Sequence, residues 1–485
     1  MKHTLSSLLV FFTLTAHAQQ PAYRDFDVQQ PAEPNGGLKA LNQFMAVNVR
    51  KPFMAQVANI KGMVILQGVA EPNGRIAEVT VARSLRPDCD REAVRAFSLF
   101  NAWKPAQKDG KAVRQVVTYP VQFRANELVQ YENGLATRYY NNAFQLAASP
   151  DSAVLRSETP TDTVGLPTGN IVFFKRNGKK WKKEVEMTYF RNPILGQKIN
   201  EELRFEIGHK DINSKPFGFN YIVDNQHTVY HESHFDLDRQ LILFIRRHTN
   251  QLVTHREETG SEQIIRTDWY GNGQIKQVTA HQKPQTGQPY SQSQQMLAYW
   301  DSTGIQLVNE GNGQFATTER VLSMADTNRY TTLTEQGKYE KGLKQGYWTG
   351  KRADGSYWYD EQYEDGTLKI GRTIYAGQPD TLQYTVAEQH PEFPGGMRGL
   401  SQFLAQNIRY PIEAHKVRAQ GRVFVSFVVC QDGSLCDFTV LKGAHPALDK
   451  EALRVVQLMN GWKPGIQRGR PVRVKYNLPI NFNLN

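Results

Sequence analysis

The chain has 485 residues, 40% hydrophobic and 22% charged, an ordinary balance for a soluble globular protein; it is too long for a single core, and about three domains are expected. Its three cysteines exclude a disulfide scaffold. The net charge of +11 is unevenly spread: residues 34–124 carry 14 Lys/Arg against 6 Asp/Glu and residues 390–485 carry 13 against 6, whereas residues 125–389 carry 29 against 32. Two basic ends around a near-neutral middle suit anionic partners such as nucleic acid, lipid headgroups or acidic polymers, or else a solvated face without a partner.

In chain order, Lys2 and His3 precede an apolar run from Leu5 to Leu14, and Ala16-His17-Ala18 places small residues where a signal peptidase reads. Residues 1–18 therefore read as a cleaved secretory signal. The run is shorter than the about 20 residues that a spanning helix needs. No Cys follows Ala18 to carry a lipid anchor. Export to the periplasm is expected and removes nucleic acid from the partners; a retained signal would instead mean membrane association. Residues 19–33, rich in Pro, Gln and Asp, read as a linker.

The first module is expected over 34–124. Leu38, Leu41, Met45 and Val49 recur at helical spacing, and Pro52 stops the helix. Gly62 to Val69 and Ile76 to Arg83 read as strands around an Asn73-Gly74 turn, Asp90 to Phe100 as a second helix, and Val113 to Phe123 as a third strand. In residues 125–389, turn dipeptides recur at Asn133-Gly134, Asn177-Gly178, Asn272-Gly273, Asn312-Gly313, Asp354-Gly355 and Asp365-Gly366, between short runs rich in Tyr, Trp, Phe and Thr. That pattern predicts a series of antiparallel hairpins, with a loop over Ala148 to Gly169. Over 390–485 the first pattern returns: a helical stripe of Met397, Leu400, Leu404 and Ile408, an apolar strand Val423 to Val429, alternation at Cys436, Phe438 and Val440, a second helix lined by Leu448, Ala452, Val455 and Met459, and a last strand Val472 to Phe482.

The two end modules are one sequence twice. Adding 359 to each position from Gly36 to Phe123 aligns them without a gap, and 31 of the 88 positions are identical, far above chance, so the segment is duplicated. The expected fold is α+β: two modules, each an antiparallel sheet with two helices on one side, flanking a mainly antiparallel β hairpin-repeat region.

Catalytic signals are weak. There is no Gly-x-Ser-x-Gly elbow and no phosphate-binding glycine loop. His227, His231 and His234 lie near Glu232, Asp236 and Asp238; on a helix the histidines would share a face, but the local sequence reads as a strand, which sends His227 and His231 one way and His234 with the acids the other. No metal, cofactor or enzymatic activity is expected. Trp103 and Trp462 read as seals at the end of the second helix. A bridge between Cys430 and Cys436, on either side of Asp432-Gly433, is left open because sequence does not fix the hairpin register. The last strand, with Val472, Arg473, Val474, Lys475, Tyr476, Asn477 and Leu478, is a docking template if it lies at a sheet edge.

Phe393-Pro394-Gly395-Gly396, Tyr410-Pro411, Gly421 with the apolar strand after it, Asp432-Gly433, Leu448-Asp449 with Ala452, and Trp462-Lys463-Pro464 make the second module resemble a TonB C-terminal domain. The first module is similar but looser, with Lys51 in place of the Tyr of Tyr-Pro and Asn35 in place of the Pro before Gly-Gly. Gly337-Lys338-Tyr339, Gly346-Tyr347-Trp348, Asp354-Gly355 and Asp365-Gly366 resemble MORN-like hairpin repeats. The TonB resemblance implies a periplasmic protein of a Gram-negative bacterium. It also implies binding of an N-terminal peptide of an outer-membrane transporter, or a related envelope protein, as a strand added beside residues 472–478, in support of energy-coupled transport. The chain departs from that family in lacking an inner-membrane helix and a long Pro-rich spacer. The other expectation is an envelope scaffold whose basic modules contact peptidoglycan or lipopolysaccharide.

Overall fold

The computed structural model describes residues 21–484 except 126–128, 148, 195–202, 284–293, 325, 327 and 378–379, so the signal segment 1–18 lies outside the described residues. The chain divides into two compact units, residues up to 125 apart from 56–58, and the remainder. No helix among the described residues is long and apolar enough to cross a membrane, a statement that does not extend to strands.

The first unit holds helix α1 (Gly37–Asn48), strands β1 (Gly62–Ala70) and β2 (Ile76–Arg83), helix α2 (Pro87–Ser98) and strand β3 (Gln115–Phe123). Its sheet runs β2-β1-β3, all antiparallel. The helices bury Leu41, Phe44, Ala93, Ala96 and Phe97 in the core that also takes Val64 and Leu66 of β1. Trp103 closes this core, its indole donating to the carbonyl of Phe100 at 3.2 Å. Residues 21–33, a linker by composition, do not hang free in their described part. Tyr23 forms a parallel bridge with Gln115, Gln30 an antiparallel bridge with Gln107, and Glu33 pairs with Lys104. Polar composition marks a segment that has no core of its own; it does not reveal that its backbone is satisfied by a neighbouring strand.

In the second unit, twenty strands from Val129–Glu132 to Leu382–Tyr384 make one antiparallel meander, each paired with the next in sequence. The long strand Lys180–Pro193 serves two partners in turn: residues 180–187 pair with Ile171–Asn177, while residues 188–193 pair with Phe205–Lys210. Two details correct the sequence reading. The stretch 148–169 is not all loop, because Leu155–Pro160 is a strand between two others. Asn312-Gly313 opens a strand, and the turn lies one pair earlier at Glu310-Gly311, whose φ angles are +48° and +77°. Aromatic rings lie on glycines directly across the ladder. Gly350 faces Tyr359 and Gly371 faces Tyr384, and in each case a Cβ on the glycine would come within 2.0–2.3 Å of the ring. This explains why glycine sits inside strands that it would otherwise weaken.

The second module continues the same unit with α3 (Gly396–Asn407), β4 (Gly421–Val429), β5 (Leu435–Lys442), α4 (Pro446–Gln457) and β6 (Val474–Phe482). Its core joins Leu400, Val423, Val425, Phe427, Leu448, Ala452, Trp462, Leu478, Ile480 and Phe482. Both modules repeat one polar clamp. Glu92 and Glu451 each accept a backbone N–H, from Arg50 and Arg409 respectively, at 2.7 Å, and each holds the arginine three residues on. Those arginines, Arg95 and Arg454, donate to the carbonyls of Asn48 and Asn407 at 2.6 and 2.7 Å, tying the end of one helix to the other.

A hairpin, Gly465–Gln467 with Arg470–Val472, joins this module to the meander. At its tip Arg468 reaches the buried Glu361, with Nε at 2.7 Å from Oε1, and donates to the Tyr357 hydroxyl at 3.0 Å. Its guanidinium lies 3.6 Å from the centroid of the Tyr359 ring. Tyr384 and Tyr363 also donate to Glu361. The equivalent residue of the first module is Asp109, which is bonded instead to Gln29 of its own N-terminal segment.

Candidate docking edge of the second module

Strand β6 pairs antiparallel with β4 from Val429↔Val474 to Gly421↔Phe482, and the sheet order is β5-β4-β6. Among the described residues no strand pairs with its outer side. The segment expected from sequence is divided by the structure. Val472 belongs to the hairpin, Arg473 lies between the two strands, and Val474, Lys475, Tyr476, Asn477 and Leu478 form the first half of the edge strand. Leu478, Ile480 and Phe482 are buried beneath the sheet, with Val474 and Tyr476 half-buried. The Tyr476 ring packs 5.1 Å from Trp462 and 5.5 Å from Phe427. Lys475, Asn477, Pro479 and Asn481 are exposed.

The first module shows what such an edge accepts. Tyr23 donates its N–H to the carbonyl of Arg114 at 2.9 Å and accepts from the N–H of Val116 at 2.8 Å, so its outer edge already carries an extended segment. Adding 359 turns Arg114 and Val116 into Arg473 and Lys475. The position equivalent to Tyr23 is Leu382, which pairs with Thr373 in the meander and leaves β6 without such a cover. The phase of the prolines agrees. Pro479 stands four residues after Lys475, so its missing N–H falls on the outer side, as that of Pro120 does in β3, and costs no ladder bond. Sequence reasoning offered the last strand as a docking template only if it lies at an edge, and it missed the segment on the first copy; Tyr23 carries no compositional mark of a strand.

At the end of β6, Arg473 donates to Asp437 at 2.7 Å and to the Cys436 sulfur at 3.4 Å. Cys430 and Cys436 are free thiols in hydrogen-bond contact, and that bond holds the Cys436 thiol above its ordinary pKa. Cys89 is fully enclosed, and burial pushes its thiol up to about 11. At pH 8 Cys89 is therefore almost wholly the unreactive thiol. Iodoacetamide followed by mass spectrometry is expected to label Cys430 and Cys436 in the reduced folded chain and to spare Cys89. Labelling of Cys89 at the same rate would show that its site opens.

The histidines do not assemble. His231 lies edge-on to Phe244, His234 stacks on Phe219 at 4.0 Å, and His227, in a turn, contacts Asp162 at 2.7 Å. Among the described residues no group of three His, Cys, Asp or Glu side chains is placed to hold a metal ion. Trp462 is buried like Trp103, under the sheet rather than on the surface.

No curated protein matches the chain. Family comparison finds the same domain twice: residues 49–125 and 406–484 both match the family described as the Gram-negative bacterial TonB protein C-terminal, a family of envelope-associated, protein-interaction domains.

Proposed function

We propose that the protein is a periplasmic, non-enzymatic binding protein whose second module captures an extended peptide of an outer-membrane transporter, or a related envelope protein, by strand addition along β6, in support of energy-coupled transport. The observation that carries this reading is the contrast between the two copies: the outer edge of β3 holds Tyr23 in a parallel bridge, and the equivalent edge of β6 pairs with no described strand. An incoming peptide would take the place that Tyr23 takes in the first copy, donating to the carbonyl of Arg473 and accepting from the N–H of Lys475. Backbone bonds give such a complex its affinity, and the alternate side chains give its selectivity.

The test is a titration of the full chain with a panel of N-terminal transporter peptides, followed by fluorescence anisotropy. Saturable binding supports the proposal. If no peptide binds and the protein instead co-sediments with isolated cell wall in a salt-sensitive manner, the basic modules serve as a scaffold and the docking reading fails.

A further inference from the structure

Six of the nine residues from Lys175 to Lys183 are basic and none is acidic, within a middle region whose charges nearly cancel. The run is a hairpin. Asn177 pairs with Lys180, Arg176 with Trp181, Lys175 with Lys182 and Phe174 with Lys183, around a tight turn at Gly178, whose φ is +59°. Lys183 is held by Glu186, and Arg176 donates to the carbonyls of Pro150 and Asp151 at 2.8 and 2.6 Å. Lys175, Lys179, Lys180 and Lys182 are exposed and make no ion pair among the described residues.

Folding alone does not select this pattern. Lys175 and Lys182 lie directly opposite each other on one face, and like charges so placed weaken a hairpin. Lysines on an open edge discourage stray strand pairing. That accounts for Lys180 and Lys182, since residues 180–187 pair on one side only among the described residues. It does not account for Lys175, whose strand is paired on both sides, or for Lys179 in the turn. The arginines beside the run offer no planar fork to a ligand. Arg176 is engaged by carbonyls, and the guanidinium groups of Arg176 and Arg156 lie 5.0 and 5.1 Å from the centroid of the Trp181 ring. Four flexible ammonium groups remain free, and they suit a diffuse negative surface rather than one bidentate anion.

Beyond the lysines the same face turns apolar. Val185 lies opposite Phe173, in phase with Lys182 opposite Lys175. Exposed Val185, Phe144 and Leu237 rim a cavity of about 240 Å³ over the buried Phe173, Met187 and Phe217. Its charged members are Glu184, at the bulge in the hairpin, and Arg239, which is paired with Asp211. One free carboxylate against four free ammonium groups leaves the face basic.

We propose that this face docks on a membrane of anionic phospholipid, with Lys175, Lys179, Lys180 and Lys182 among the headgroup phosphates and Phe144, Val185 and Leu237 entering the acyl boundary. Charge selects the sign of the surface. Exposed apolar side chains beside the charges fit lipid better than a polyanion in water, which offers them nothing to enter. The contact is separate from the β6 edge and does not depend on peptide docking.

Co-sedimentation of the full chain with vesicles tests it. Phosphatidylglycerol vesicles are expected to bind the chain and phosphatidylcholine vesicles to leave it in solution, and added salt should weaken the binding as it screens the charges. Replacing Lys175, Lys179, Lys180 and Lys182 together by Gln should lower the partition at least about a hundredfold, since each basic side chain near an anionic membrane contributes a factor of about five. Val185→Ser combined with Leu237→Ser should lower it about tenfold. Gln at Lys39, Lys61, Lys104 and Lys111 of the first unit, an equal loss of charge, should change little. Near-UV circular dichroism checks that the variants fold; if one does not, the two vesicle types with the unmodified chain decide alone. Equal binding to both lipids, full binding by the folded four-lysine variant, or an equal loss in the first-unit control overturns the proposal. So does full binding by the Val185→Ser, Leu237→Ser variant, which would make the lysines a site for any polyanion.

Discussion

Arg468→Ala is expected to destabilise the larger unit by about 3–5 kcal/mol, the cost of leaving a buried charge without its partner. The Glu361 side chain has no exposure and that of Arg468 only 17%. The alanine variant removes the Nε–H donor to Oε1, the hydrogen bond to Tyr357 and the stacking on Tyr359, and leaves Glu361 with the hydroxyls of Tyr384 and Tyr363 as donors. Two phenols do not neutralise a carboxylate in that setting. Arg468→Lys should recover only part of the loss, because an ammonium keeps the charge and loses the planar fork. The double variant Arg468→Met with Glu361→Gln should stand closer to the parent than Arg468→Ala does, since the uncompensated charge is gone. Urea unfolding monitored by circular dichroism reads all three. A loss below about 1 kcal/mol for Arg468→Ala would mean that water reaches Glu361 and that the latch is a surface ion pair.

Lys475→Pro is expected to lower peptide affinity at least about tenfold while leaving the fold intact, because it removes an outward N–H and sets a ring where the incoming backbone must approach. The phase makes the experiment selective. Position 475 shares the outer side with Pro479, where the strand already accommodates a proline, so β6 keeps its bonds to β4. Proline at Tyr476 should instead damage the module, since that N–H is in the ladder phase and the ring packs on Trp462 and Phe427. Binding by anisotropy and folding by circular dichroism separate the two outcomes. Undiminished affinity in a folded Lys475→Pro variant would remove β6 from the docking role.

Much of this arrangement is legible in the sequence. The duplication points to the same module at both ends, but the sequence names the last strand as a docking template only on condition that it lies at a sheet edge, which the order of helices and strands does not fix. The hairpin series between them was readable from Asn-Gly and Asp-Gly pairs such as Asn133-Gly134, whose φ angles are +50° and +76°. What stayed hidden depends on contacts distant in the chain. Arg468 looks like any turn arginine until the meander brings Glu361 to it, 107 residues away in sequence. Tyr23 likewise meets Gln115 only once the first unit has folded. Neither pairing leaves a periodic trace, so composition and spacing could not have shown them.

The segment bridged to the edge of β3 at Tyr23 also bears on how the two copies would divide a ligand. Tyr23 is tethered to the surface that it covers, so a free peptide would compete there against an effective concentration in the millimolar range. If the tethered segment itself holds the edge with a micromolar dissociation constant, a free peptide would lose about a thousandfold in apparent affinity on the first copy. If β6 docks a peptide as proposed, the duplication yields one receptive edge and one pre-filled edge, and the chain takes up one peptide although it carries the module twice.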